Sequence, residues 1–468
     1  MTSTVAARAA GTTRPARPRA AEWWHAAAVT VIWATSIAVA ALWLHGGGVQ
    51  ALLRGGGEAL TTAGRATGLA AANLLLYQVL LMARVPVFER GLGRDALLRL
   101  HRLTGFWSFW LMIAHVVLVV LGYAATAHVG ILAQTWDFVV GYPGMLLATA
   151  GTLLLVAVVA LSIRAARRRL RYESWHLLHL YAYLGVGLAL PHQLWTGADF
   201  LDSPTATAYW WTLWAVAAAC LVVFRFGVPL ARSRRHDLRV AAVVPDGARG
   251  IAVRLRGRDL ERLGARAGQF LVLRFLDGPG WSRAHPFSIA QAPRGDQYAF
   301  AVRVAGDGTE RMARLKPGTR VLFEGPYGTM TGERRRSRHL LMLGAGAGVA
   351  PLVALLQDER WARGAATLVT RDHHPDDALL LGPISNLVER RGLRWFRLDG
   401  ARTTTGSTWL PEEYAGWEGP AILRDMAGDL ADTEVYVCGP GPWMDAVQAD
   451  VAALGVPADR VHAESFTI

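Results

Sequence analysis

Two regimes of hydrophobic patterning divide the chain. Residues 26–228 carry apolar residues in long runs, whereas from residue 236 onward they alternate with polar ones in short stretches. The first run, 26–44, is about 19 residues long, enough for a helix to cross a hydrocarbon core of about 30 Å. Further runs lie near 60–83, 100–123, 143–163, 175–195 and 206–228, so the pattern predicts six membrane-spanning helices. The second run is the least apolar, containing Arg65 and several threonines. Residues 1–22 are mostly Ala, Thr, Pro and Arg without periodicity and read as a disordered basic tail.

Loop charge orients these spans. Arg84, Arg90, Arg94 and Arg99 fall in the segment 84–99. Arg164, Arg167, Arg168, Arg169 and Arg171 fall in 164–171, and Arg232, Arg234 and Arg235 follow the last run. The alternate loops, 124–142 and 196–205, contain no Lys or Arg. The positive-inside rule then places both termini in the cytoplasm of a multi-pass protein of the cell (plasma) membrane.

Two of the runs carry histidines where lipid-facing sequence has none: His101 and His115 in the third, His179 and His192 in the fifth. Ionisable groups within a membrane span mark functional sites by default. The spacings, 14 and 13 residues, each cover about 20 Å of helix, so the pairs lie at matched depths. Two such helices can clamp two flat cofactors, one near each membrane face, as in a bis-haem electron wire. A spacing of 14 nearly returns to one helix face, whereas 13 does not, and Pro191 is a point where the helix could adjust. His176, one turn before His179, competes for the inner position. The alternative is that all four histidines are structural, bonded to carbonyls of neighbouring helices.

The polar half predicts short strands at 238–244, 251–255, 269–275, 287–291, 298–304 and 320–324, punctuated by Gly and Pro, which argues for a small antiparallel barrel. Within it, His285-Pro286-Phe287-Ser288 sets a hydroxyl beside an aromatic ring, suited to the edge and face of a flat cofactor. Arg303, Gly306 and Thr309 combine a cation, a turn and a helix cap, a plausible pyrophosphate cradle. A second module begins near residue 338. Its strand 340–343 runs into Gly344, Gly346 and Gly348 and then a helix containing Pro351, the strand–glycine loop–helix order of a dinucleotide site. The strand 366–370 ends at Arg371, placed to read a ribose 2′-phosphate and so favouring NADPH over NADH. A strand at 434–437 ends in Cys438-Gly439-Pro440, and the last strand, 460–466, carries Phe466 near the C-terminus.

Composition narrows the classes. The formal net charge of +13 is almost all arginine, with Lys316 the only lysine, and no stretch interleaves basic and aromatic residues as a nucleic-acid surface does. Two cysteines, Cys220 and Cys438, are too few for a disulfide framework or a four-cysteine iron–sulfur cluster.

On these motifs the chain resembles a known family. The polar half is similar to the ferredoxin–NADP reductase superfamily, and the apolar half to the ferric reductase and NADPH oxidase transmembrane domain. The resemblance implies a six-helix membrane bundle (23–230) carrying two b-type haems, an antiparallel β-barrel FAD domain (236–332) and an α/β NAD(P)H-binding domain (338–468). His101 and His179 would ligate the inner haem, His115 and His192 the outer; the family's spacing from Glu173 favours His179. Ser288 would lie at the reactive flavin edge, with His285, Pro286 and Phe287 shaping the FAD site and Arg303, Gly306 and Thr309 holding its pyrophosphate. Gly344, Gly346 and Gly348 would receive the pyrophosphate of NADPH, with Cys438 by the nicotinamide and Phe466 over the flavin. Arg65 would stand near the outer haem, attracting oxygen or superoxide or pairing with a propionate. The implied activity is transfer of electrons from cytoplasmic NADPH, through FAD and two haems, to oxygen or ferric iron on the outer side. Two alternatives stay open: delivery of electrons to a separate periplasmic protein, and a haem-free membrane anchor.

Overall fold

The structure is a computed structural model that describes residues 19–163, 172–201, 203–428 and 430–465. The chain divides into two units, the first ending at Arg225 and the second starting at Phe226.

The first unit is helical. Its main helices are α1 (Arg19–His45), α2 (Gly56–Met82), α3 (Arg94–Ala127), α4 (Ile131–Gly141), α5 (Met145–Ser162), α6 (Tyr172–Trp195) and α7 (Pro204–Val222). Among the described residues, five helical stretches are long and apolar enough to cross a membrane: Trp23–His45, Gly56–Met82, Ala96–Ala127, Met145–Ser162 and Pro204–His236. The fifth expected span, α6, is a helix of 24 residues but is not among the five, because His176, His179 and His192 lower its hydropathy. It continues through Pro191 to Trp195. The stretch 124–142, expected as a loop, contains α4, which buries Gln134 and Phe138 and exposes Leu132, Trp136 and Val140. The basic segment 164–171 and the residues 1–18 lie outside the described residues.

Small residues bring α2 and α3 together. A Cβ at Gly57 would lie 2.7 Å from the Gly122 carbonyl, and one at Gly64 would lie 2.7 Å from a methyl of Val119. Without a hydrophobic force between helices in lipid, close backbone approach of this kind supplies the packing. α5 and α6 do the same through Gly151 and Gly185, where an added Cβ at 151 would meet the Gly185 carbonyl at 2.6 Å.

The second unit opens with α8 (Val228–His236) and two three-stranded antiparallel sheets. One is ordered β1 (Arg239–Pro245), β2 (Gly250–Arg256), β5 (Gln297–Arg303). The other is ordered β4 (His285–Ser288), β3 (Phe270–Phe275), β6 (Val321–Tyr327). Single bridges, Ile289 with Phe300 and Arg239 with Arg320, join them around a core that includes Leu255, Leu271, Ile289, Phe300 and Phe323. A short helix, α9 (Asp307–Ala313), follows β5.

The rest is a five-stranded parallel sheet ordered β11 (Val461–Ser465), β10 (Thr433–Gly439), β7 (His339–Ala345), β8 (Ala366–Asp372), β9 (Arg394–Asp399). Sequence patterning missed β9, whose Arg394, Arg397 and Asp399 make an edge strand read as solvated loop. Helices cover both faces. Even-numbered residues of β8, Ala366 and Leu368, pack with α10 (Val349–Asp358), whereas Val369 packs on the other face with Leu398, Trp409 and α11 (Gly441–Ala453). The chain runs from β7 outward to β8 and β9, then returns to β10 on the other side. The carboxyl ends of β7 and β10 therefore flank a switch point, where open parallel sheets bind ligands.

Candidate functional site

In the helical unit the structure brings the four histidines together in two pairs. The His101 and His179 rings are 6.0 Å apart between centroids, and those of His115 and His192 are 6.4 Å apart. A metal held axially between two imidazoles sits about 2 Å from each nitrogen, which puts the ring centroids about 6 Å apart. Both pairs have that separation, so each donor set fits a bis-histidine iron. His179, rather than His176, is the residue whose ring faces His101; the side chain of Glu173 lies outside the described residues.

Outer partners fix two of the rings. Nδ1 of His115 donates to the Gly64 carbonyl at 2.7 Å, because a carbonyl can only accept. That leaves the lone pair on Nε2, the tautomer a metal needs. Nδ1 of His179 is 3.2 Å from Ser162 Oγ, and Trp175 stacks on the same ring at 5.2 Å. Nδ1 of His101 and of His192 are buried, without a well-aligned hydrogen bond among the described residues. Gln78 supports the His101 turn, its Nε2 donating to the His101 carbonyl at 2.6 Å. Gly68 gives His115 its space, since a Cβ there would collide with the imidazole.

Arg65 is paired within the helical unit. Its Nε donates to Asp199 Oδ2 at 3.1 Å and its Nη2 pairs with Asp199 Oδ1, so the guanidinium is held bidentately by a buried carboxylate. It is a neutralised pair rather than a free cation. Asp199 was legible only as an acid in a loop without bases.

In the second unit, His285-Pro286-Phe287-Ser288 is β4 itself, with Ser288 buried and the His285 and Phe287 rings stacked 6.1 Å apart. A Cβ at Gly308 would lie 3.2 Å from His285 Cε1, so the turn 306–309 adjoins β4. Gly306 has φ 154°, open to glycine, at the start of α9. The Thr309 hydroxyl accepts from Ala305 N at 2.9 Å and donates to the Gly306 carbonyl at 2.9 Å. Its one O–H is therefore engaged in its own turn, which corrects the expectation that it holds a pyrophosphate directly. Arg303 reaches the glycine loop: its Nη2 is 3.2 Å from where a Cβ on Gly346 would stand, and its Nη1 is 3.7 Å from Asp377 Oδ2.

At the switch point the glycine loop meets the end of β10. Gly348 abuts the Cys438 carbonyl so closely that any side chain would clash, and Gly439 packs on Ala345 and Trp443. Gly344 packs under Val349, and Pro351 is buried in α10. The Cys438 thiol donates to the Glu464 carbonyl at 3.1 Å. Burial, then the Glu464 carboxylate, pushes this thiol well above its ordinary range, so it stays protonated at neutral pH. Glu464, absent from the sequence expectations, has its carboxylate 2.9 Å from where a Cβ on Gly328 would be. Phe466 lies outside the described residues.

Arg371 is not a phosphate reader. It is buried, and its five N–H groups go to five main-chain carbonyls: Nε to Trp409, Nη1 to Asp372 and Leu398, Nη2 to Gly400 and Ala401. No N–H is left for a 2′-phosphate.

A membrane helical unit with paired histidines, joined to a dinucleotide-type parallel sheet, defines a membrane oxidoreductase. Residues 67–190 match the family described as ferric reductase like transmembrane component. The other half is 30% identical over 247 residues to the propane 2-monooxygenase reductase component of Gordonia sp. (strain TY-5), covering 49% of this chain and 67% of that protein. It is 28% identical over 241 residues to the ferredoxin reductase component of the 3-ketosteroid-9-alpha-monooxygenase of Rhodococcus rhodochrous, covering 50% and 66%. Among solved structures, a cytochrome P450 reductase of Amycolatopsis matches at 21% identity with a TM-score of 0.40, covering 50% of this chain and 70% of that one. The chain therefore joins a stretch that matches a ferric reductase like transmembrane component to a half related to reductase components of the ferredoxin reductase type.

Proposed function

We propose that this protein is a transmembrane oxidoreductase carrying electrons from a cytoplasmic nicotinamide dinucleotide to an acceptor on the outer side, oxygen or ferric iron. Residues 23–230 form the six-span bundle, 236–332 an FAD-binding barrel and 338–468 the nicotinamide-dinucleotide domain. The observation that carries the reading is the pair of histidine couples at 6.0 and 6.4 Å. A bound FAD would supply the conversion of a hydride into single electrons, and b-type haems their one-electron relay.

The chain's own residues position these groups. His101 with His179, and His115 with His192, would hold the two irons through their imidazole nitrogens, and the Gly64 carbonyl keeps His115 in the metal-binding tautomer. Gly344, Gly346 and Gly348 admit a pyrophosphate to the backbone at the start of α10, where N–H groups face an anion. Arg303 adds a cation beside Gly346. Cys438, kept protonated with its S–H donated to the Glu464 carbonyl, presents a neutral sulfur at the switch point rather than a nucleophile. Ser288, His285, Pro286 and Phe287 line the flavin site.

A second reading has its own support. The relatives named above are reductase components, by name parts of monooxygenase systems. The acceptor here would then be a separate redox protein on the outer side.

Spectroscopy of the purified protein tests the proposal. Dithionite reduction should give b-type haem bands, and His115→Ala should remove one haem while NADH- or NADPH-driven reduction of soluble dyes persists. Absence of haem bands in the wild type overturns the haem assignment, and loss of both haems in the variant overturns the pairing.

A further inference from the structure

The carboxyl end of β8 carries a pair of carboxylates with no partner for part of their oxygen. Asp372, the last residue of β8, stands opposite Asp399, the last residue of β9, in the parallel register. Asp372 is 7% exposed, and among the described residues its Oδ1 is buried without a hydrogen bond; Oδ1 of Asp399 is likewise buried and unpartnered there, while its Oδ2 accepts from Arg397 at 2.9 Å. Buried acceptors of this kind are costly unless a donor arrives.

Strand parity says from where it arrives. Side chains alternate across a sheet, and Asp372 has the parity of Ala366 and Leu368, on the face covered by α10. α10 is the helix that follows the glycine loop. Arg371 has the opposite parity and is bound into the far face by Leu398 and Trp409. A dinucleotide whose pyrophosphate lies on the glycine loop after β7 reaches over the neighbouring β8 with its adenosine half. It meets Asp372 there and not Arg371.

We infer that this site, on the reading that it binds a nicotinamide dinucleotide, selects NADH over NADPH, with the Asp372–Asp399 pair accepting the O–H groups of the adenosine ribose. A ribose 2′,3′-diol brings two donors to two unpartnered acceptors. A 2′-phosphate removes one donor and sets a dianion beside carboxylates. The charged groups facing Asp372 are Asp399 and Asp377 against Arg303 and Arg397, and these two guanidiniums are already engaged by Asp377 and Asp399.

The test uses redox-inactive fragments on the full-length protein in detergent. Titration calorimetry with ADP-ribose and 2′-phospho-ADP-ribose should give binding about tenfold or more tighter for ADP-ribose. Asp372→Asn, which keeps the shape and removes the charge, should bring the two dissociation constants together. Equal or tighter binding of the 2′-phospho form by the wild type overturns the inference, as does an unchanged ratio in the variant. Binding of neither fragment instead overturns the nucleotide reading of the site.

Discussion

Arg371 and Asp372 are neighbours with opposite duties, and each makes a prediction at the scale of one side chain. Because Arg371 saturates five carbonyls around Leu398, Gly400, Ala401 and Trp409, its loss leaves buried acceptors unpaired. Arg371→Met should lower stability by about 3 kcal/mol or more. A thermal melt within a degree of the wild type would contradict this. Asp372 works the other way. Burial, reinforced by Asp399 and Asp377 and opposed by Arg303 and Arg397, raises its pKa from 3.8 to about 6. A carboxyl with a raised folded-state pKa binds protons more readily folded than unfolded, so stability falls as pH rises from about 4 to about 6. The penalty is complete above that window. Asp372→Asn mimics the protonated form and should stabilise the ligand-free protein at pH 7.5 by up to about 3 kcal/mol, with the gain shrinking toward pH 5. A gain that does not change between those pH values would show that the charge is not its source. Sequence reading chose Arg371 because it reasoned from residue type at the strand end. Which of two adjacent residues faces the ligand is a matter of parity, and parity requires knowing what covers each face.

Among the elements, the α2–α3 contact has the most direct consequence for the site. Gly57, Thr61, Gly64 and Gly68 recur at four, three and four residues, one stripe of a helix, and they face Gly122, Val119 and His115 of α3. The stripe both packs the helices and forms the His115 pocket. A Cβ at Gly68 would lie 2.5 Å from His115 Nδ1 and 2.8 Å from Cε1, so Gly68→Ala has to displace the ring. The variant should lose the spectral contribution of the outer haem and keep that of the inner one. A spectrum identical to the wild type would mean that His115 is not a ligand in that position. The four histidines were legible from the sequence because charge in an apolar run stands out. Gly64 and Gly68 were not, since glycines are common in membrane helices and only the facing helix gives them meaning. The strands of the polar half were largely legible from alternation, whereas β9 was hidden by its arginines. β9 lies at the edge of the sheet, where one side of the strand is solvated and polar residues are tolerated.

For the whole molecule, the open quantity is what receives electrons outside. Arginine-rich segments on alternate loops argue that the termini are cytoplasmic, so inside-out membrane vesicles should oxidise added NADH and sealed right-side-out vesicles should not. Equal oxidation by both would reverse or abolish that orientation. The electrostatics of the outer end then bear on the acceptor. The buried Asp199 carboxylate holds Arg65 in a bidentate pair, so it offers little attraction to an anionic ferric chelate. Neutral oxygen needs no such attraction. In inside-out vesicles loaded with cytochrome c, NADH should therefore drive superoxide-dependent reduction in the lumen, with little dependence on salt. Reduction of luminal ferric citrate under argon should be slower. Asp199→Asn frees the Arg65 charge and should raise the ferric citrate rate relative to the oxygen rate, most strongly at low ionic strength, because attraction between exposed charges is screened by salt. If the ratio of the two rates is the same in the variant and the wild type, the Arg65–Asp199 pair does not govern the acceptor. A protein partner docking on the outer loops then becomes the better reading.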